Sequence, residues 1–309
     1  MSIREIKKHI RTTKEIVRIT NVMYLLAASR LSKERVRSKH GHWYFKEILR
    51  LVTIASTHMK KKVSNLLIQR PIRNMLYIVV TPNQGFCGGL PSEINRLAVI
   101  SAEEQQNHIA METGGKSPTI GYLTIGKKGR DYFTRTNRNL MKEFTNTQPT
   151  WSLAMEITQI IVELFQREDF DAVFIVYAQS DLMMPKPIVE KLLPINLSLL
   201  AEQVPLETAT DVDRYSEEYI LYFFAPKVEL IFPDLVLRYL VCQIYVALLE
   251  GTKSENIARM IAMKHATDRA KEILDQLAAV YNVARQAQIT EDLLEIMSAA
   301  EALREENFP

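Results

Sequence analysis

The chain has 309 residues, of which 47% are apolar and 24% are charged, and its formal net charge is +3. This composition is typical of a globular protein and excludes an intrinsically disordered one. Cys87 and Cys242 are the only cysteines, which excludes a disulfide framework and a four-thiolate zinc site. No signal peptide is visible, and charge or Pro breaks every apolar run before the ~18 residues of a membrane span, so we expect a soluble intracellular protein.

The first segment, up to Pro71, contains one helix breaker, Gly41, and predicts a long helix. Mostly apolar residues recur in it at alternating spacings of three and four, which is the heptad pattern of a coiled coil. This seam comprises Ile3, Ile6, Ile10, Thr13, Val17, Thr20, Tyr24, Ala27 and Leu31. A second apolar face is formed by Ile16, Ile19, Met23 and Leu26. A helix with two apolar faces expects two neighbours, one of which can belong to another chain.

The middle of the chain alternates between strand and helix patterns. Eight of the ten glycines fall between Gly85 and Gly129. Residues 75–80, 120–125 and 172–177 are short runs rich in β-branched and aromatic residues, and residues 92–108 and 151–166 have helical periodicity. This alternation predicts a small doubly wound α/β sheet. A further strand is expected at residues 219–224, and the polar stretch 202–216 is a candidate linker.

The last segment predicts a second long helix, since residues 252–308 contain neither Gly nor Pro. We expect it to begin at Ala225-Pro226, and Pro233 should bend it or end a short lead-in helix. Its seam comprises Leu274, Leu277, Tyr281 and Ala284, and then, after a slip of one residue, Ile289, Leu293, Ile296, Ala300 and Leu303. At ~1.5 Å per residue, two such helices make a rod of roughly 80 Å that should protrude from a compact body.

The two ends carry opposite charge. Residues 1–40 hold eleven Lys and Arg against three Glu, a net charge of +8. Residues 250–309 hold seven Lys and Arg against eleven acids, a net charge of −4. This asymmetry favours pairing of the two ends, although a basic arm for nucleic acid is the alternative.

Catalytic and phosphate-binding patterns are weak. The run Gly114-Gly115-Lys116-Ser117 lacks the first glycine of a phosphate-binding loop, because position 110 is Ala. The spacing from Gly121 to Lys127 fits, but Lys128 stands where a hydroxyl is needed and the interior is strand-like. We therefore interpret this run as a strand and a turn.

The remaining candidates are a thiol and two imidazoles. Cys87 lies in the turn Gly85-Phe86-Cys87-Gly88-Gly89 and is either a nucleophile or a small buried residue. His40 and His42 flank Gly41 without a nearby thiol or acid, so we interpret them as marking a break in the first helix and not as a metal site. No catalytic constellation is predicted.

Both ends of the chain resemble the γ subunit of F-type ATP synthases. SENIARMIAMKHATDRA (254–270) and YNVARQAQITEDLLEIMSAAEAL (281–303) are similar to the two C-terminal signatures of that family. IREIKKHIRTTKEIVRITNVMYLLAASRL is similar to its N-terminal pattern around Met23. In the middle, GFCGG (85–89), IGKKGRDYF (125–133) and KLLPI (191–195) also match, so the resemblance covers essentially the whole chain.

The resemblance implies a fold class and a domain division. The fold is α/β, with a long antiparallel coiled coil of the N- and C-terminal helices and a small Rossmann-like domain. It places the N-terminal helix in residues 1–70, the Rossmann-like domain in residues 71–217, and a foot strand with the C-terminal helix in residues 218–309.

The function that the resemblance implies is that of a non-catalytic rotor without a cofactor. One copy threads the hexamer of alpha and beta subunits and rests, with the epsilon subunit, on the membrane c-ring. It couples ion flow through the ring to ATP synthesis or hydrolysis at the beta subunits, on the cytoplasmic face of the inner (plasma) membrane. Nucleic acid is not a partner in this reading, and a self-associating coiled-coil or nucleic-acid-binding scaffold is the alternative.

The family's contact residues carry over by position. Met23 and Arg259 match residues near the beta subunits at the lower shaft. Arg285, Gln286 and Thr290 match residues that engage beta-subunit loops higher up, and a guanidinium suits this role because it binds carboxylates bidentately. Tyr222 and Phe224 match the foot that rests on the ring.

The chain departs from the family pattern at several positions, which suggests a divergent bacterial member. Pro82, Asn83 and Gln84 replace the usual residues before the glycine turn, and Ala225 stands where an acid is common. Asn21 and Tyr24 replace a Lys and a polar residue. The regulatory insertion with paired cysteines found in chloroplast members is missing from the sequence.

Overall fold

The computed structural model describes residues 2–57, 65–112, 117–180, 184–196 and 227–306. The chain divides into two units. We call Met1–Ala27 with Met260–Pro309 the helical unit, and Ala28–Arg259 the α/β unit. The predicted boundaries at residues 70 and 217 stay predictions, and the second of them falls outside the described residues.

Two long helices enclose the smaller elements in the sequence. They are α1 (Ile3–Thr57), which opens the described chain, and α5 (Val228–Glu306), which closes it. Between them lie a 3-10 turn (Asn65–Leu67), β1 (Asn74–Val80), α2 (Leu90–Glu112), β2 (Thr119–Ile125), α3 (Lys127–Arg135), β3 (Leu140–Phe144), α4 (Trp151–Gln166), β4 (Ala172–Ser180) and β5 (Pro185–Leu193). The three central strands and both inner helices predicted from the pattern are thereby confirmed. The predicted strand at 219–224 and the linker at 202–216 lie outside the described residues.

The α/β unit is built on a sheet with strand order β3-β2-β1-β4-β5. The first four strands are parallel, and β5 pairs antiparallel with β4 at one edge. At the centre, Ile78 of β1 pairs with Leu123 of β2 and Ile175 of β4. This is the doubly wound arrangement that the alternating pattern predicts.

Both faces of the sheet are buried, which is why β1 is a continuous apolar run. On one face of the sheet, Met75, Tyr77 and Val79 pack in a hydrophobic core together with residues of α2 and α3. The alternate residues Leu76 and Ile78 face a core with α4 and with those parts of α1 and α5 that belong to the α/β unit. The two long helices therefore contribute to the core of this unit.

Gly41 does not break α1, so the predicted interruption at His40 and His42 is wrong. The helix is continuous from Ile3 to Thr57. A Cβ added at Gly41 would lie 2.6 Å from Leu249 Cδ1. The missing side chain allows α1 and α5 to approach closely here, and this packing outweighs the low helix propensity of Gly.

Helix α5 begins at Val228 and continues through Pro233, so the proline does not end a lead-in helix. The first turns of α5 belong to the hydrophobic core, because four of their apolar side chains are fully buried: Phe232, Val236, Leu240 and Ile244. The most apolar 18-residue stretch of the helix contains few charges, and half of it is buried. By length and composition this stretch could cross a membrane, which corrects the expectation that no apolar stretch is long enough, although a buried core helix passes the same test.

In the helical unit, the predicted seam of α1 is the face that packs. Ile6 and Ala27 are buried and the seam positions between them are half-buried, whereas Ile16, Ile19 and Leu26 of the second face are exposed. The Thr267 hydroxyl of α5 donates a hydrogen bond of 2.7 Å to the Thr20 hydroxyl. The predicted seam of α1 is therefore confirmed, and on the second face the described residues of this unit cover only Met23, which is half-buried.

The direction of the pairing follows from where burial ends. On α5 the last half-buried seam residue is Ala284, which lies 17 residues after Thr267. On α1 the helix begins at Ile3, which lies 17 residues before Thr20. Because α5 loses its cover where α1 begins, the two helices run antiparallel in this unit, as a coiled coil does.

Candidate interaction surfaces

The crevice beyond the carboxyl ends of β1 and β4 is the place where doubly wound sheets bind ligands. Here α5 occupies it. The Ser254 hydroxyl donates to the Ala178 carbonyl of β4 at 2.8 Å. A Cβ at Gly251 would lie 3.1 Å from Val80 Cγ1 of β1, so the helix backbone rests on the strand end. The chain thus fills its own nucleotide-type crevice.

Arg259 holds the glycine turn that follows β1. The residue is 5% exposed, and its guanidinium pairs with Glu255 Oε1 at 2.5 Å. Its Nε and Nη2 each lie 3.4 Å from the Gly85 carbonyl oxygen, to which they donate. The structure therefore directs Arg259 at its own chain, and the predicted contact with a beta subunit stays a prediction.

Cys87 has the surroundings of a structural thiol. It is 2% exposed, and its sulfur lies 3.7 Å from the Gln84 carbonyl oxygen. Burial raises the pKa of the Cys87 thiol, with a smaller opposing effect from the Arg259 charge. A thiol that stays protonated is a poor nucleophile. Of the two interpretations of Cys87, the structure therefore favours a small buried residue over a nucleophile.

The run from Gly121 to Lys127 is β2 and the turn into α3, as interpreted from the sequence. The first amides of α3 already have partners within the chain. Lys127 N donates to Asn83 Oδ1 at 2.9 Å, and Gly129 N donates to Thr81 Oγ1 at 2.8 Å. Gly126 has a φ of 104°, and a Cβ there would lie 2.0 Å from the Thr81 carbonyl oxygen. This helix terminus has neither the free donors nor the space that a phosphate needs. Residues 114–116 of the other glycine run lie outside the described residues.

His42 takes part in a buried polar cluster that sequence reasoning missed. Glu250 of α5 is 1% exposed, and its Oε1 accepts from Ser38 Oγ at 2.5 Å and from Lys253 Nζ at 2.6 Å, and lies 2.8 Å from His42 Nε2. Burial alone would raise the pKa of the Glu250 carboxyl, but the hydrogen bonds from His42, Lys253 and Ser38 lower it to about 2. A single acid inside an apolar stretch of α5 was the available signal. In the described part of the chain, three or more His, Cys, Asp or Glu nowhere come together as a possible metal site.

The other predicted contact residues lie on the helical unit. Met23 is half-buried, whereas Arg285, Gln286 and Thr290 are exposed. The Thr290 hydroxyl donates to the Gln286 carbonyl at 2.9 Å, a bond within the helix. The structure thus brings Arg285, Gln286 and Thr290 together on one exposed stretch of α5. Tyr222 and Phe224 lie outside the described residues.

Large apolar side chains surround these polar residues. They are Ile289, Leu293, Leu294, Ile296 and Met297, each 49–66% exposed. The sequence pattern placed Ile289, Leu293 and Ile296 on the packing seam, but they are exposed, because α1 begins at Ile3 and leaves α5 uncovered after Ala284. Leu294 and Met297 lie off the predicted seam. A seam on one side of a helix gives no reason to expect exposed apolar residues on the other side, so the sequence pattern missed both.

Comparisons with known proteins agree with the fold. The sequence model of the ATP synthase family matches residues 2–303. An ATP synthase gamma chain of Dehalococcoides mccartyi is 33% identical over 98% of this chain and 99% of its own length. That of a Roseiflexus species is 32% identical, also over 98% and 99%.

Solved structures agree as well. A chain of the Euglena gracilis mitochondrial ATP synthase, in a structure of OSCP, F1 and the c-ring, superposes with a TM-score of 0.62 at 18% identity, over 99% of this chain and 96% of that one. A chain of the Tetrahymena thermophila central stalk and c-ring gives 0.52 at 20% identity, over 80% and 99%. At these identities the structures show the fold. The sequence relatives support the resemblance found at the chain ends and not the scaffold alternative, so this chain belongs to the family of ATP synthase gamma chains, the non-catalytic rotor subunits of the central stalk.

Proposed function

We propose that this chain acts on the hexamer of alpha and beta subunits through the exposed end of α5. The observation that carries the proposal is that every residue from 285 to 300 is exposed. Large apolar side chains lie on more than one side of this stretch, and Leu293 and Leu294 are 56% and 59% exposed. Large apolar side chains that their own chain leaves exposed mark a surface that a partner covers.

A rotating helix inside a ring of three catalytic sites supports a coupling mechanism without catalysis in the shaft. The shaft presents a different side to each beta subunit and so stabilises a different conformation of each one. Rotation driven by ion flow through the ring moves each site through these conformations in turn. The chain itself need not bind ATP, which fits the filled crevice beside β1 and β4.

The polar contacts of this mechanism are assigned to three residues of the exposed stretch. Arg285 can bind a beta-subunit carboxylate with two parallel hydrogen bonds, and Gln286 and Thr290 can add neutral ones. Met23 and Arg259 are assigned to the lower shaft. Because Arg259 is buried against Gly85 and Glu255, we propose that it supports this contact from within the chain.

The base of the rotor is assigned by resemblance alone. Tyr222 and Phe224 are the proposed contact with the c-ring, and the epsilon subunit is the proposed partner of the α/β body. The proposed division is residues 1–70, 71–217 and 218–309. One copy per complex, bound at the cytoplasmic face of the inner membrane, completes the proposal.

Arg285 and Gln286 provide the test. In the assembled enzyme, replacing both with Ala should lower ion-driven ATP synthesis roughly tenfold or more, because the charge-assisted contact of Arg285 alone contributes about 1.5–3 kcal/mol and about 1.4 kcal/mol is a factor of ten. ATP synthesis is measured in inverted membrane vesicles, and the amount of assembled complex is checked by native electrophoresis. The control replaces Lys271 and Gln276, an exposed cation and amide on the same helix. Unchanged synthesis in a fully assembled double variant would contradict the assigned contact.

A further inference from the structure

The α/β unit has an open aromatic pocket that the shaft mechanism does not use. The pocket has a volume of about 410 Å³ and lies where α1, α4 and α5 meet. It is lined by Arg37, His40, Gly41, Tyr44, Trp151 and Tyr245. These six residues are called the aromatic pocket below.

Three rings form its apolar wall. Trp151 stands edge-on to Tyr44, with ring centroids 5.9 Å apart, and to Tyr245 at 5.5 Å. All three side chains are half-buried, so each keeps part of its surface in solvent. Gly41 contributes backbone only and lets α5 pack close to α1 beside the rings, since a Cβ there would lie 2.6 Å from Leu249 Cδ1 and 3.9 Å from Tyr245 Cε1. Half-exposed clusters of Trp and Tyr are the residues that dominate protein interfaces when another chain covers them.

The apolar surface continues along α1 beside the pocket. Trp43 is 65% exposed and Val36 is 56% exposed. Trp43 follows His40 by three residues, and spacings of three and four place residues on neighbouring positions of a helix surface. Trp43 and Trp151 are the only tryptophans of the chain. Both are therefore in the pocket or beside it.

The part of α1 that forms one side of the pocket carries a net positive charge. Residues 33–50 of α1 hold six Lys and Arg against two Glu, a net charge of +4. Arg37 lines the pocket and is held in place, since its guanidinium lies 3.2 Å from Glu34 Oε1 and donates to the Pro149 carbonyl at 3.3 Å. His40 is exposed beside it. A fixed guanidinium next to aromatic rings favours carboxylates over neutral or basic partners.

We propose that the aromatic pocket binds an acidic segment of another protein. One apolar or aromatic side chain of that segment lies between Tyr44, Trp151 and Tyr245, and its flanking carboxylates bind Arg37 and His40. The site lies within the α/β unit. It does not depend on the contact of the helical unit with the catalytic subunits, so the two assignments can fail separately.

Tryptophan fluorescence tests the site directly. The purified full chain, carrying Trp43→Phe so that Trp151 is the single fluorophore, is titrated with acetyl-Glu-Glu-Phe-Glu-Glu-amide. We expect a saturable change in Trp151 emission that weakens as salt is added, because salt screens exposed charges. The peptide with Ala in place of Phe tests the apolar contact, and the peptide with Lys in place of Glu tests the charge. Both should bind roughly tenfold more weakly or worse.

Variants of the chain distinguish binding in the pocket from non-specific attraction between the peptide and the positive charge of α1. Arg37→Gln with His40→Gln should weaken binding of the acidic peptide roughly tenfold. Arg35 is an exposed cation of the same helix outside the pocket, and Arg35→Gln should change the dissociation constant of the acidic peptide by no more than a factor of about two. No saturable response to the acidic peptide, or equal weakening by Arg35→Gln, would overturn the proposal. A response to phosphatidylglycerol vesicles in place of the peptide would overturn it in favour of a membrane contact.

Discussion

Glu250 shows how an acid becomes part of the interior of the α/β unit. Its carboxylate has three polar partners from two helices: Ser38, His42 and Lys253. An unpaired buried carboxylate would be strongly destabilising, but here three polar side chains converge on Oε1 and stabilise its charge. Glu250 lies next to Leu249, which packs against Gly41, so apolar and polar contacts between α1 and α5 are adjacent.

The lowered pKa of Glu250 predicts how stability depends on pH. The folded carboxyl has a pKa of about 2, and the unfolded one is near 4.5. The stabilisation is therefore fully present above pH 4.5 and is lost as the pH falls towards 2; it amounts to roughly 3 kcal/mol. We expect Glu250→Gln to lower the free energy of unfolding more at pH 7 than at pH 3, as measured by urea unfolding.

A matched control for this prediction is Glu295→Gln, because Glu295 is exposed on the same helix. It should change the free energy of unfolding by no more than about 0.5 kcal/mol at either pH. Equal destabilisation by Glu250→Gln at pH 7 and pH 3 would show that the carboxylate charge does not contribute and would contradict the prediction.

At the residue scale, sequence reasoning interpreted the run from Gly121 to Lys127 correctly as a strand and a turn, but it could not show which groups occupy the amides that follow. The sequence shows only that Lys128 stands where a phosphate-binding loop needs Ser or Thr. The structure adds that Asn83 and Thr81 already accept hydrogen bonds from the first amides of α3. Such long-range partners cannot be predicted from spacing, because Asn83 and Lys127 are 44 residues apart. The same is true of Arg259 and Gly85, which are 174 residues apart.

At the scale of elements, periodicity predicted the buried strands and the longer helices well, but it missed the short helix α3 and the edge strands. β1, β2 and β4 are apolar runs covered on both faces. The edge strands β3 and β5 were not predicted, because β3 contains Lys142 and Glu143 and β5 contains two prolines. Charges and prolines suit an edge, where they oppose pairing with other chains, and they hide the strand from a pattern search.

The two faces of α1 give a prediction about the helical unit. Ile6 is 1% exposed on the seam, and Ile19 is 57% exposed on the second face. Removing the buried side chain leaves a cavity in the helix pair, whereas removing the exposed one does not. Ile6→Ala should raise amide hydrogen exchange in residues 3–27 of the isolated chain roughly 100-fold, because such a cavity costs about 3 kcal/mol.

Ile19→Ala is the comparison variant. In the isolated chain it should leave exchange in the same residues within about threefold of the unchanged protein. Equal acceleration by the two variants would mean that the second face is also covered in the free chain, and the expectation that another chain covers this face would then be wrong.

For the whole molecule, the coiled-coil pattern and the terminal signatures were sufficient to predict the architecture and the family. The antiparallel direction came from resemblance, and the loss of cover on α5 after Ala284 supports it independently. The continuity of α1 through Gly41 could not be predicted, because it depends on Leu249, about two hundred residues later. The exposed end of α5 also could not be recognised as one surface from the seam alone.

The composition of the assembled complex tests the central claim most directly. The chain is co-expressed with the alpha and beta subunits of the same organism, purified through a tag on the beta subunit, and its mass is measured by native mass spectrometry. The rotor assignment predicts three alpha subunits, three beta subunits and one copy of this chain, with ATPase activity that the chain alone lacks. A homo-oligomer of this chain without alpha or beta subunits would contradict it.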